Sequence, residues 1–185
     1  MKQYIILDLE ATCWERPDNN NRTNEIIEIG AVKLDENANQ VDTYQTFIKP
    51  TMNPILSEFC VKLTSIQQAA VDNAPDFKTA LMDFEKWICH ESTNTALVSW
   101  GYYDKNQLLK ECQAKDCNGS IRTILDNHHS IKHDFAKIKN IKACGMGKAL
   151  NILGMPLVGT HHRGIDDALN ISKIFKAVFD EWILL

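Results

Sequence analysis

No stretch of this 185-residue chain approaches the ~20 consecutive apolar residues needed to span a bilayer. The apolar run that follows Lys2 stops at Asp8, too short for a secretory leader. These absences lead to the expectation of a cytoplasmic protein with no membrane role. Positive charge is not in excess either: 20 Lys and Arg face 24 Asp and Glu, a net charge of −4. The chain as a whole therefore does not advertise a polyanion partner. A cluster of metal-binding acids would tip the same balance in an enzyme that handles nucleic acid, so charge does not decide the question.

With only 8 Gly and 5 Pro, and no repeat, linker or low-complexity tract, a disordered or fibrous chain is excluded. One domain spanning 1–185 is expected, long enough to bury a real core. The six cysteines (Cys13, Cys60, Cys89, Cys112, Cys117, Cys144) are scattered, without the spacing of a secreted disulfide framework, and read as free thiols. Cys112 and Cys117, with His128 and His129 downstream, make a loose zinc pattern at best. Their neighbours Lys110, Glu111 and Lys115 look like the end of a helix.

What is present begins at Tyr4-Ile5-Ile6-Leu7-Asp8-Leu9-Glu10, a short branched run that reads as a buried strand. Side chains alternate across a strand, so Asp8 and Glu10 share one face with Leu9 opposite. Two acids side by side at the end of a buried strand repel one another and resist desolvation unless a cation lies between them. Mg²⁺, hard and oxygen-seeking, is the natural choice. Ordinary solvation of a strand end would also account for two acids, so this pair alone does not settle the matter.

The polar segment from Glu15 to Asn24 is a loop bordering that strand end, from which Arg16 and Arg22 could reach a phosphate. Ile26 to Leu34 and Val41 to Ile48 form two further strands, completing an antiparallel meander. Short helical pieces fill Thr51 to Pro75, with Leu56, Phe59 and Cys60 on one face. Asp76 caps a helix running to about His90. Ala96 to Trp100 is a strand, and Asp104 to about Cys117 a helix. Ser130 to His133 is a short fifth strand, Gly145 to Leu153 a helix, and Ile165 to the C-terminus one long helix. A three-strand antiparallel unit followed by alternating helices and strands is an α/β, ribonuclease-H-like architecture, with a mixed five-stranded sheet flanked by helices.

Asp104 follows a strand across Gly101-Tyr102-Tyr103, at the kind of carboxyl end where ligands collect in open α/β sheets. Asp166 and Asp167 open the long C-terminal helix, where the dipole favours negative charge. Capping explains each of these acids singly. A histidine five residues before Asp167 is less easily dismissed. Trp14 and Trp100 read as packing residues. The basic residues Arg122, Lys132, Lys137, Lys139, Lys142 and Lys148 form either a phosphate track or a solvated face.

Taken together, D-L-E-A-T-C-W (8–14), S-W-G-Y-Y-D (99–104) and H-H-R-G-I-D-D-A (161–168) resemble the DnaQ-like exonucleases of the DEDDh type. The blocks F-I-K-P with L-S-E-F-C-V-K-L-T-S-I (47–66), and G-M-G-K-A-L (145–150), are similar to the Eri-type branch, which includes the histone-mRNA 3′ exonuclease. The resemblance spans nearly the whole chain, in the family's order.

It implies a 3′→5′ exonuclease with Asp8, Glu10, Asp104 and Asp167 as metal-binding acids and His162 as general base. Two Mg²⁺ ions are implied, with Mn²⁺ able to substitute, and single-stranded RNA or DNA 3′ ends as substrate, RNA favoured. The family's spacing selects His162 over His161 and Asp167 over Asp166. Ala11, Thr12, Phe59 and Tyr103 are the implied contacts to the terminal nucleotides. Two rival classes are a catalytically silent nucleic-acid-binding protein on the same fold and a ribonuclease-H-type endonuclease. The family's histone-mRNA enzyme carries an additional nucleic-acid-binding module to which nothing here corresponds, so stem-loop recognition is not expected.

Overall fold

A computed structural model describes residues 2–15, 22–89, 94–117 and 119–185. Five strands form one sheet: β1 (Lys2–Ala11), β2 (Ile26–Leu34), β3 (Gln40–Phe47), β4 (Asn94–Ser99) and β5 (His128–Ser130), in the order β3-β2-β1-β4-β5. β1, β2 and β3 pair antiparallel, as the short connections between the last two require. β4 joins β1 in parallel and β5 joins β4 in parallel, so the sheet is mixed, as the sequence predicts.

The helices follow the same order: α1 (Glu58–Thr64), α2 (Gln68–Asp72), α3 (Phe77–Cys89), α4 (Tyr103–Ala114), α5 (Ile121–Asp126), α6 (Ile131–Ile138), α7 (Met146–Ile152), α8 (Gly164–Ala177) and α9 (Phe179–Trp182). α3 starts where Asp76 caps it, its carboxylate accepting the Thr79 N–H at 2.8 Å. Its expected end at His90 lies outside the described residues.

The period-2 alternation of β1 sorts the core into two layers. Ile5, Leu7 and Leu9 face Phe77, Leu81, Phe84, Leu108 and Ile121 on one side. Tyr4 and Ile6 face Ile171, Ile174, Phe175 and Trp182 on the other. Each of these fully buried side chains contributes on the order of 1.5–3 kcal/mol. Asp8 and Glu10 continue the Tyr4–Ile6 face, so the two acids lie on the side of the sheet that α8 covers.

Three local expectations are corrected. The fifth strand is His128–Ser130, and Ile131–Ile138 is helical; its apolar Ile131 and Phe135, four apart, are buried on one face, a helical spacing that the strand reading passed over. A further short helix, α5, precedes that strand. The C-terminal helix is not continuous. It breaks at Val178, and this lets Phe179 and Trp182 fold back around Tyr4, with ring centroids 5.4 and 5.7 Å away.

Candidate active site

β1 and β4 run side by side from Lys2 to Ile6 and then part. Beyond Ile6, the main-chain edge that β4 would have occupied is partly taken by a side chain. The Leu9 N–H donates to Asp104 Oδ1 at 3.1 Å. Asp104, in the first turn of α4, is thereby fixed beside the strand that carries Asp8 and Glu10. The parting of two parallel strands makes the crevice, as expected at the carboxyl ends of an α/β sheet.

The other wall is the N-terminus of α8. It sits directly on the sheet because two glycines meet there. A Cβ on Gly30 would lie 2.0 Å from the main-chain carbon of Gly164, and one on Gly164 would lie 3.2 Å from the Asp8 carbonyl oxygen. Gly30 is opposite Asp8 in the β1–β2 register. This contact brings Asp167, three residues into the helix, over the strand acids. Carboxylate oxygens of Asp8, Glu10 and Asp167 all lie within 4.8 Å of one another.

The result is a cavity of about 360 Å³ lined by Asp8, Leu9, Glu10, Trp100, Tyr103, Asp104, Gly145, Met146, His161, His162, Asp167 and Ile171. All four acids and the histidine singled out in the sequence are on its wall. Tyr103 is there too, half exposed. Trp100, expected only to pack, also lines it, with its indole N–H held by the Cys144 carbonyl at 3.1 Å.

Other expected contacts are not brought to that wall. Ala11 is buried. Thr12 is turned inward, its hydroxyl accepting the Glu25 N–H at 2.9 Å. Phe59 is 38% exposed on α1, which excludes a core role but leaves it outside the cavity lining. Arg22 lies over the Trp14 ring at 5.2 Å, and Arg16 is outside the described residues. Cys112 and Cys117 are buried among the apolar side chains under α4 and α5, and form no metal-holding group with His128 and His129 among the described residues. The basic residues 122–148 are spread over α5, α6, α7 and the intervening loop, and Lys139 is paired with Glu181 at 3.4 Å.

The electrostatics of the cavity are those of crowded like charges. Burial, reinforced by Asp104, Glu10, Asp167 and Glu28, holds the Asp8 carboxyl well above its ordinary range. Burial and then the charges of Asp167, Glu28 and Asp104 push Glu10 up to about 8. Burial raises Asp104 to about 6, against the hydrogen bonds from Leu9, its own N–H and the Ser99 hydroxyl, which lower it. Acids this close stay ionised together only with a cation among them. Three oxygen donors within reach of one point suit a hard divalent ion.

The two histidines differ. His161 Nδ1 lies 2.9 Å from Asp167 Oδ2, and the His162 N–H donates to the same oxygen at 3.0 Å. The His162 N–H also lies 3.0 Å from His161 Nδ1, so the ring, the amide and the carboxylate form one compact group. His162 takes a left-handed backbone, φ 65°, and stacks its ring on His161 with centroids 4.0 Å apart. Burial and the neighbouring His161 lower its pKa, keeping the imidazole neutral and able to accept a proton. Asp166 faces away, accepting the Thr160 N–H at 2.8 Å and so holding the loop before α8.

Sequence reasoning missed Glu28. It is fully buried on β2, opposite Glu10, and bonded to Arg163, Gly164 and Gln45. The signal was available, since an acid inside the otherwise apolar Ile26–Leu34 run must find partners. A reading that counted only the strand's apolar positions passed over it.

Comparison with known proteins adds the following. An exonuclease family, RNase_T, matches residues 5–175. ERI1 exoribonuclease 2 of Homo sapiens is 31% identical over 202 residues, covering 97% of this chain and 29% of that protein. The 3′-5′ exonuclease eri1 of Schizosaccharomyces pombe is 29% identical over 207 residues, covering 98% and 69%. The crystal structure of the nuclease domain of 3′hExo, described as a DEDDh family member bound to rAMP, superposes with a TM-score of 0.86 at 27% identity, covering 97% of this chain and 92% of that one. The chain thus has the ribonuclease-H-like fold of those enzymes. It spans only 29% of the length of the human exoribonuclease 2 and 35% of its Danio rerio counterpart.

Proposed function

The chain belongs to the RNase_T exonuclease family, and on that premise we propose that it is a metal-dependent 3′→5′ exonuclease of single-stranded ends, RNA in preference to DNA, releasing nucleoside 5′-monophosphates. Residues 1–185 would form one exonuclease domain, working in the cytoplasm. The observation that carries the reading is the triangle of Asp8, Glu10 and Asp167 carboxylates from a strand and a helix, with Asp104 and His162 on the same cavity wall. The names of the relatives support the substrate class and the direction of cleavage.

Asp8, Glu10 and Asp167 would hold two Mg²⁺ ions, or Mn²⁺ in their place, with Asp104 in support. When bound, such ions lower the pKa of a water and offset negative charge at a departing 3′ oxygen. The protein's own residues do the rest. Neutral His162 accepts the proton of the attacking water. The bond from the Leu9 N–H holds the Asp104 carboxylate in a fixed orientation on the cavity wall. His161 and the His162 N–H orient Asp167 through its Oδ2. Tyr103 offers a ring face to the base of the terminal nucleotide.

A 5′-labelled single-stranded RNA and its DNA counterpart, incubated with Mg²⁺ or with chelator, test the proposal. The expected result is a ladder shortening from the 3′ end, faster on RNA and abolished by chelator. A single internal cut would indicate a ribonuclease-H-type endonuclease. Binding without cleavage would indicate a catalytically silent nucleic-acid-binding protein.

A further inference from the structure

Glu28 is a wholly buried acid that the chemistry above does not use. It stands across from Glu10 on the same face of the sheet, where another negative charge is costly. Its partners explain its place. Oε1 accepts from Gln45 Nε2 at 2.7 Å and from Arg163 Nη2 at 3.3 Å. Oε2 accepts from Arg163 Nε at 3.2 Å and from the Gly164 N–H at 3.0 Å. Arg163 and Gly164 are the N-cap and first residue of α8, and His162 immediately precedes them. Arg163 is further held over the Phe47 ring, 5.3 Å from its centroid.

We propose that Glu28 is the positioning residue of the site: it clamps the first turn of α8 to the sheet, so that Asp167 and His162 meet Asp8 and Glu10 at a separation fit for divalent ions. The inference rests on the metal-dependent reading of this cavity. Its chemistry is specific, because all four groups around Glu28 are donors. A carboxylate has acceptor sites for all of them, whereas a glutamine could place its NH₂ only on the Gln45 side, with the Gln45 amide turned to accept, and would lose the Arg163 Nη2 bond and the negative charge that pairs with Arg163. Partners that orient metal ligands from behind commonly govern affinity or activity by 10–100-fold.

The test compares wild type with Glu28→Gln and, approaching the same contact from the other side, Arg163→Met, which leaves β2 untouched. Two readouts are independent of nuclease activity: Mn²⁺ affinity by titration calorimetry, and hydrogen exchange at the main-chain amides of residues 164–167. Expected for Glu28→Gln is Mn²⁺ affinity weaker by roughly 10–100-fold, faster exchange confined to the start of α8, and a matching fall in kcat with little change in KM. Arg163→Met should give a smaller loss in the same direction. Unchanged Mn²⁺ affinity and exchange in both variants would overturn the proposal. So would faster exchange spread evenly over β2 and β3, which marks a merely structural role. If the wild type cleaved no nucleic acid while the Mn²⁺ and exchange effects appeared as described, the exonuclease reading would fail and the clamp would stand.

Discussion

Glu10 and Glu28 stand directly opposite one another on β1 and β2, two acids in one cross-strand pair. The second is matched by Arg163; burial, and then the charges of Asp167, Glu28 and Asp104, push the first to about 8 from an ordinary 4.5. A carboxyl whose folded pKa is raised favours the fold in its neutral form. Its contribution is complete below about pH 4.5 and is lost as pH rises through about 8. The metal-free protein should therefore melt at progressively lower temperature across that window. Mg²⁺ should raise the melting temperature far more at the alkaline end than at the acid end. Thermal melts in chelator and in Mg²⁺ would check both.

Asp8→Asn should separate stability from turnover. The side chain's burial, reinforced by the like charges around it, disfavours its ionised form, so the neutral amide should stabilise the metal-free protein at alkaline pH. Release of mononucleotides should meanwhile fall to background. Denaturant melts in chelator, set beside a product assay, measure the two effects. A variant with near-normal rates would break the assignment of Asp8 as a metal-holding acid.

His162→Ala should lower the rate by about 10²–10⁴ and leave Mn²⁺ affinity nearly unchanged. Because its pKa is lowered, the acid limb of the wild-type rate, measured at saturating Mn²⁺, should lie below the ordinary histidine range. His161→Ala should act differently, weakening Mn²⁺ binding through Asp167 while preserving the acid limb. A pH–rate profile of each variant distinguishes them. An acid limb that vanished in His161→Ala instead would hand the proton to His161.

Gly30→Ala should be among the most damaging single methyl additions in the chain. The new Cβ would meet main-chain atoms of Gly164 at 2.0 Å, and neither backbone can step aside as a flexible side chain would. A loss of about 3 kcal/mol, the upper end for overpacking, is expected in denaturant unfolding, together with weakened Mn²⁺ binding.

The strands β1 to β4 and most of the helices were legible because their apolar periodicities are clean, as in Tyr4–Glu10 and Phe77–Ile88. Asp8, Glu10, Asp104, His162 and Asp167 could be picked out by strand alternation, helix starts and family spacing, and the structure gathers them round one cavity. What escaped depended on contacts between distant segments. Nothing near Glu28 in the chain announces Arg163, 135 residues away. Thr12 was implied as a contact to the terminal nucleotide; that its hydroxyl accepts the Glu25 N–H could not be seen, because the two become neighbours only once β1 and β2 pair. The short helix at Ile131 was missed for a different reason: in so brief a segment, Ile131 and His133 satisfy a strand's alternation as readily as Ile131 and Phe135 satisfy a helix's period.

The contact between Gly30 and Gly164 joins main chain to main chain, so the height of α8 above the sheet is written into the trace of the fold, and the Glu28 clamp holds the first turn at that height. Trp100 and Met146, on the same cavity wall, lie outside the elements that carry the acids. They could be exchanged in evolution or by design to admit a different terminal base without retuning the ions beneath. Under the proposed exonuclease function, such a scaffold would keep the machinery of scission apart from the choice of what is cut.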